Sequence, residues 1–251
     1  ASVLVVSDSS SYNYYNNLVL WTDSLDALGF EEDTSGDIGD DMYYVFNNFR
    51  TPYTAYAITE DLLANANAIF WTPVTTYYGY FLGSSAERQL IVDWAEGTDG
   101  AFIALCPDYF STYYMCSYSG AANYCPDFMN EFLGISSGGN TGQGYTSGIF
   151  WASGIEDTLY EPMGDYQLHY YSNTSSWNYM NIVGINTSEG GHAMAYFQSG
   201  GRNIAFGRVD DENDYTAVFD TRLPSCFSGA QTSYLELRTE TWLTGSGFVL
   251  P

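Results

Sequence analysis

Three short runs constrain the fold most strongly: Val3-Leu4-Val5-Val6, Ala68-Ile69-Phe70-Trp71 and Ala101-Phe102-Ile103-Ala104-Leu105. A strand with one face in water alternates apolar and polar residues, whereas these runs are apolar throughout, so both faces of each must be covered. At four or five residues they are also too short for buried helices. Between them lie segments with helical spacing. Leu18, Trp21, Leu25 and Leu28 share one helical face within 14–28, and Gly29 supplies the stop. Thr59 caps a short helix through Leu62 and Leu63, and Ser84-Ser85-Ala86-Glu87 reads as a capping box before Leu90, Ile91 and Trp94. Strand–helix alternation of this kind predicts a parallel sheet with helices on both faces, the three-layer flavodoxin-like α/β class.

The parallel strands are expected at 3–7, 42–46, 68–72, 101–105 and 203–207, and short right-handed crossovers favour the order 2-1-3-4-5. The whole chain, 1–251, reads as one domain. A β-rich insertion, about 106–201, is rich in Gly, Ser, Tyr and Asn and too long for a plain loop. Within it a short helix is expected at 126–133 and antiparallel strands flanking the sheet at 149–151, 167–171, 180–185 and 192–197. An irregular segment after Asp220 leads to a last helix at 234–243.

Charge narrows the function. Six Lys+Arg, all of them Arg, stand against 30 Asp+Glu, for a net charge of -24. No basic stripe exists to replace the counterions of a phosphate backbone, so nucleic acid is excluded as a partner. No apolar run approaches the roughly 18 residues of a membrane span. The four cysteines, Cys106, Cys116, Cys125 and Cys226, have neither CxxC spacing nor a nearby His pair, which argues for disulfides over zinc and for an extracellular or cell-surface location. Cys116–Cys125 and Cys106–Cys226 is the expected pairing, with the other two connectivities open. Asn173-Thr174-Ser175 and Asn186-Thr187-Ser188 are N-glycosylation sequons.

Several stretches carry a family resemblance: Val3-Leu4-Val5-Val6-Ser7-Asp8, Leu25-Asp26-Ala27-Leu28-Gly29-Phe30, Ala86-Glu87-Arg88-Gln89-Leu90-Ile91-Val92-Asp93-Trp94, Gly100-Ala101-Phe102-Ile103-Ala104-Leu105 and Phe132-Leu133-Gly134-Ile135. Their succession resembles the class I glutamine amidotransferase-like domains of secreted bacterial proteins. The resemblance implies a flavodoxin-like fold and often a non-enzymatic role. Active members carry a Cys on a tight elbow after the central strand, a place that Cys106 occupies here. That elbow needs a positive φ and small neighbours. Leu105 and Pro107 flank Cys106 instead, and Pro107 restricts it toward extended backbone. The His-x-Glu of active members has no counterpart, since His192 precedes Ala193-Met194 and His169 precedes Tyr170-Tyr171. No catalytic residue is expected.

Other constellations bear on binding. Asp8, Asp108, Arg208 and Asp210 are expected to converge beyond the carboxyl ends of the strands, as an ion or ligand site or as internal ion pairs. No glycine-rich phosphate loop follows the first strand, so no nucleotide cofactor is expected. The acidic stretches 33–41 and 210–214 could offer oxygen ligands to calcium, without EF-hand spacing. Twenty-four Tyr, many flanked by Ser, Asn and Gly, suggest contact surfaces. The expected function is a non-catalytic structural or interaction domain that assembles with copies of itself or with other extracellular protein. An accessory domain for carbohydrate or a peptidase partner is the alternative, and a Cys-dependent hydrolase the third reading. The apolar tail Phe248-Val249-Leu250 must rest either on its own domain or on a neighbouring copy.

Overall fold

The computed structural model describes residues 2–7, 17–35, 38–47, 58–72, 85–106, 125–136, 143–144, 148–170, 179–180, 184–185, 187, 190–201, 203–220 and 232–251. The first part of the chain forms β1 (Ser2–Ser7), α1 (Asn17–Ala27), β2 (Glu31–Asp33), β3 (Met42–Asn47), α2 (Glu60–Leu63), β4 (Ala68–Thr72), α3 (Ser85–Gly97) and β5 (Ala101–Leu105). A turn of π-helix (Phe128–Phe132) follows, then β6 (Ile135–Ser136), β7 (Gln143–Gly144), β8 (Gly148–Gly154), a 3-10 turn (Glu161–Met163) and β9 (Asp165–Tyr170). The last elements are β10 (Tyr179–Met180), β11 (Gly184–Ile185), β12 (Gly191–Phe197), β13 (Asn203–Asp210), β14 (Tyr215–Asp220) and α4 (Thr232–Gly245).

Ten strands form one mixed sheet in the order β2-β3-β1-β4-β5-β14-β13-β12-β8-β9. From β2 to β14 neighbouring strands run parallel; from β14 to β9 they run antiparallel. Side chains alternate across the sheet into two cores. Val3, Val5, Phe70 and Phe102 pack with Trp21 and Leu25 of α1 and with Leu235 and Trp242 of α4. Leu4, Val6, Ile69 and Ile103 pack with Leu63 of α2, Ile91 and Trp94 of α3, and the π-turn. Every residue of β4 and β5 is buried, as their unbroken apolar runs require.

Helix ends follow their sequence signals. Gly29 stands at φ +95, and the Phe30 N–H closes on the Leu25 carbonyl at 3.1 Å, completing the cap of α1. Thr59 accepts the Leu62 N–H at the start of α2. Ser84 lies outside the described residues, while Glu87 is buried and accepts the Ile58 N–H at 3.3 Å, tying the approach to α2 onto α3.

The order 2-1-3-4 holds for the first four expected strands, but the fifth place belongs to β14, not to residues 203–207. Those residues lie in β13, antiparallel and one strand further out. The acidic stretch between the two is the reason. Asp210 accepts the N–H groups of Glu212 and Asn213 and Asp214 adopts φ +54, so 210–214 forms a tight hairpin turn that reverses the chain before β14. Nor do the strands of the insertion flank the sheet. β8, β9 and β12 extend it edgewise, and the single strand expected at 180–185 is two pieces, β10 and β11, in separate two-stranded pairs.

The tail turns back on its own domain. The Phe248 N–H bonds to the Leu243 carbonyl at 3.0 Å, and Phe248 and Leu250 pack against the α1/α4 core, leaving only Val249 outward at 82% exposure. Among the described residues no helix is long and apolar enough to cross a membrane.

Candidate functional site

The carboxyl ends of β4, β5 and β14 lie side by side, where open α/β sheets place their ligands. Asp220, the last residue of β14, is met there by α4. Arg238 is fully buried and donates through Nη1 to Asp220 Oδ2 at 2.7 Å, with the Tyr160 hydroxyl donating to the same oxygen at 2.5 Å. The guanidinium carbon lies 5.1 Å from the Trp21 ring centroid and 4.6 Å from that of Trp242, beside a Trp pair whose own centroids are 5.6 Å apart, and these contacts offset part of its lost hydration. Burial alone would lower the pKa of Arg238, but Asp220, and then Cys106 and Tyr160, outweigh it and hold the pKa above the ordinary value. Burial, and then Asp220, push the Tyr160 hydroxyl well above the usual tyrosine range. Of the neighbouring polar groups, Trp21 Nε1 donates to Thr72 Oγ1 at 2.7 Å and Ser24 Oγ to Thr239 Oγ1 at 2.9 Å, while Trp242 Nε1 is buried with no hydrogen-bond partner.

Cys106 follows β5 directly, wholly buried, with its N–H on the Trp71 carbonyl at 2.8 Å. Among the described residues, positive φ outside glycine occurs only at Asp41, Asp157 and Asp214, so Cys106 lacks the backbone of a nucleophile elbow. Neither histidine stands near it. His192 on β12 is three inter-strand spacings away, about 14 Å, and His169 on β9 is five, about 24 Å. Cys125 is a buried free thiol whose pKa burial pushes up to about 12, and Cys106 forms no disulfide either, so neither expected bridge, Cys116–Cys125 nor Cys106–Cys226, is made. Cys116 and Cys226 lie outside the described residues, as do the sequons at Asn173 and Asn186 and the acids Asp8 and Asp108.

The expected meeting of Arg208 and Asp210 with the ends of β1 and β5 is a further correction. Because β13 runs antiparallel, these two residues reach the opposite edge, where Asp210 pairs with Tyr215 and Tyr215 with Ala101 at the start of β5. There Arg208 binds Asp210 and the Glu131 carbonyl and lies over the Tyr215 ring. Burial pushes the Tyr215 hydroxyl up to about 12. The acidic stretches form turns: Asp33 accepts from the Ser35 N–H and hydroxyl, and Asp214 accepts the Gly100 N–H. Among the described residues no three His, Cys, Asp or Glu side chains are gathered as a metal site.

Beside this edge lies an open cleft of about 670 Å³. One wall is a stripe along α3 at helical spacing: Ser85, Arg88, Gln89, Val92 and Glu96. The other is the π-turn, with Asp127 and Glu131 at the rim. Its floor is an aromatic row, Phe128, Phe132 and Tyr215, with centroids 5.0 and 5.1 Å apart. The cleft lies between α3 and the π-turn, whose Glu131 carbonyl and Phe132 ring meet Arg208 of β13 and Tyr215 of β14. A sequence reading misses it because it depends on chain reversal at 210–214. Arg238 had a legible signal: it lies at helical spacing from Leu235 and Trp242, on the apolar face of α4.

No family model matches the chain, and no curated protein matches it. Among solved structures it is similar to a polyextremophilic β-galactosidase from the Antarctic haloarchaeon Halorubrum lacusprofundi (TM-score 0.52, 7% identity, 95% of this chain). The chain spans only 29% of that enzyme's length. It is also similar to a cytoplasmic protein of Salmonella typhimurium LT2 (TM-score 0.53, 15% identity), with 97% of this chain and 96% of the other covered. At such identities the likeness is one of fold alone.

Proposed function

We propose that the chain is a non-catalytic interaction domain, built on the flavodoxin-like plan of the amidotransferase-like domains and working outside the cell in contact with other protein. One observation carries this reading: Asp220, at the carboxyl end of β14, is committed to a buried cluster with Arg238 and Tyr160, and Cys106, at the end of β5, is wholly buried. A catalytic centre needs reactive groups that a substrate can reach, in geometry fixed by their neighbours. Cys106 offers no accessible surface, no elbow backbone and no histidine within reach. Surface features support contact with a partner. Ile149 and Trp151, two residues apart on β8, are 57% and 44% exposed on the face opposite Phe150 and Ala152, which pack inward.

The test is native thiol chemistry. Iodoacetamide at neutral pH, followed by peptide mass mapping, should leave Cys106 unmodified until denaturant is added. Stoichiometric labelling of Cys106 in the folded protein would overturn the non-catalytic reading.

A further inference from the structure

Among the described residues Trp151 of β8 is the one exposed aromatic side chain. It lies on the face of the sheet opposite Phe150 and Ala152, which pack inward, and Ile149 shares its face two residues, about 7 Å, along the strand. Strand pairing sets its neighbours. Gln167 of β9 stands directly across from Trp151, and on the other side the N–H of Gln198, the residue after β12, bonds to the Trp151 carbonyl at 3.0 Å. Side chains opposed in an antiparallel ladder share a face, so an indole is bracketed by two glutamines in a row across three strands, with about 4.8 Å from one strand to the next.

The row is held from one end. Gln198 Nε2 donates to Ser153 Oγ at 3.0 Å, and Ser153 Oγ, on a buried residue, donates to Asp165 Oδ1 at 2.6 Å. That relay uses one N–H of the Gln198 amide and leaves its carbonyl oxygen and second N–H for a ligand. The Gln167 amide makes no hydrogen bond, and neither an aromatic ring nor a cation lies against the Trp151 indole.

Chemistry selects the ligand. A pyranose ring presents an apolar face of C–H groups, which an exposed indole covers, and a rim of hydroxyls that both donate and accept. A side-chain amide also donates and accepts, so the two glutamines match that rim on both sides of the ring. An anion finds no cation in the row, and the carboxylate next along β9, Asp165, is engaged by Ser153. An apolar protein surface would cover Trp151 and Ile149 but leave both amides dry and unpaired, which costs more than the contact with water that they lose. Ile149 continues the apolar strip under a second sugar.

We propose that Trp151 is the stacking platform of a binding site for a neutral oligosaccharide, with Gln167 and Gln198 binding hydroxyls at the two edges of one sugar and Ile149 lying under the next. The proposal rests on reading the chain as an interaction domain and adds the chemistry that its partner presents.

An array of linear tetrasaccharides of glucose, galactose, mannose and N-acetylglucosamine, with sialylated and sulfated counterparts, tests it when probed with the full chain. Neutral tetrasaccharides should be retained. In calorimetry with the strongest of them, Trp151→Ala should weaken binding at least about tenfold, or about 1.4 kcal/mol. Gln167→Ala and Gln198→Ala should each weaken it severalfold, with circular dichroism unchanged in all three variants. The site is overturned if no neutral tetrasaccharide is retained, if only the anionic ones are, or if Trp151→Ala binds as the original chain does. It is equally overturned, in favour of a protein contact, if Trp151→Ala lowers the particle mass in light scattering while no sugar binds. Those failures leave Cys106 unlabelled and the interaction reading standing, whereas labelling of Cys106 alongside normal sugar binding removes the non-catalytic reading and keeps the site.

Discussion

Arg238 stands where its loss should be felt most, because its charge has no route to water. Removing one partner of a buried ion pair leaves the other charge uncompensated, at a cost of about 3–5 kcal/mol. Arg238→Leu should therefore lower stability by that amount in urea unfolding, with Asp220 stranded beside the Tyr160 hydroxyl. Arg238→Leu combined with Asp220→Asn should recover a large part of the loss, since the amide carries no charge and its oxygen still accepts the Tyr160 hydroxyl. If the double variant is no more stable than the single one, the ion pair is not what holds α4 in place. The contacts of the guanidinium with the Trp21–Trp242 pair supply a second contribution that both variants forfeit, so recovery should stop short of the original stability.

The π-turn depends on the backbone at its exit. Gly134 has φ +66, and a Cβ there would lie 2.5 Å from the Gly191 Cα, where β12 begins. A side chain thus meets left-handed strain and a backbone collision together, and no rotamer relieves either. Gly134→Ala should destabilise by about 1–3 kcal/mol, read by thermal unfolding. Gly97→Ala, with open space around the added methyl, is the control that should cause no such loss. How far such elements were legible in the sequence depended on whether their signal is local. Buried parallel strands announce themselves by unbroken apolar runs, and α1 by its spacing and Gly29. Strand direction has no such mark: Asn203-Ile204-Ala205-Phe206-Gly207 reads alike in a parallel or an antiparallel strand. Only the turn chemistry at 210–214 decides it. Once β13 was given the wrong direction, Arg208 and Asp210 went to the wrong edge of the sheet, and the cleft they help to wall could not be seen.

At the scale of the whole molecule the apolar tail serves its own domain. Removing residues 248–251 takes away the partly buried Phe248 and Leu250, which pack against the α1/α4 core. The truncated chain should melt lower, by about 2–4 °C for each kcal/mol lost in a chain of this size. Its mass by light scattering should equal that of the full chain at the same concentration. A truncated chain that fell to a smaller species would make the tail an assembly contact after all. The same closure of late segments upon early ones sets how the chain must fold. Gly100 and Asp214 meet across 114 residues, and Ser24 and Thr239 across 215. Trp21 finds its cover, Trp242, only after every strand of the sheet has been made. Search over such separations is slow, since loop entropy is lost before any long-range contact repays it. A newly made chain must therefore leave the part of the apolar face of β1, β4 and β5 that α1 does not cover bare until α4 arrives, and its greatest exposure to aggregation falls in that interval.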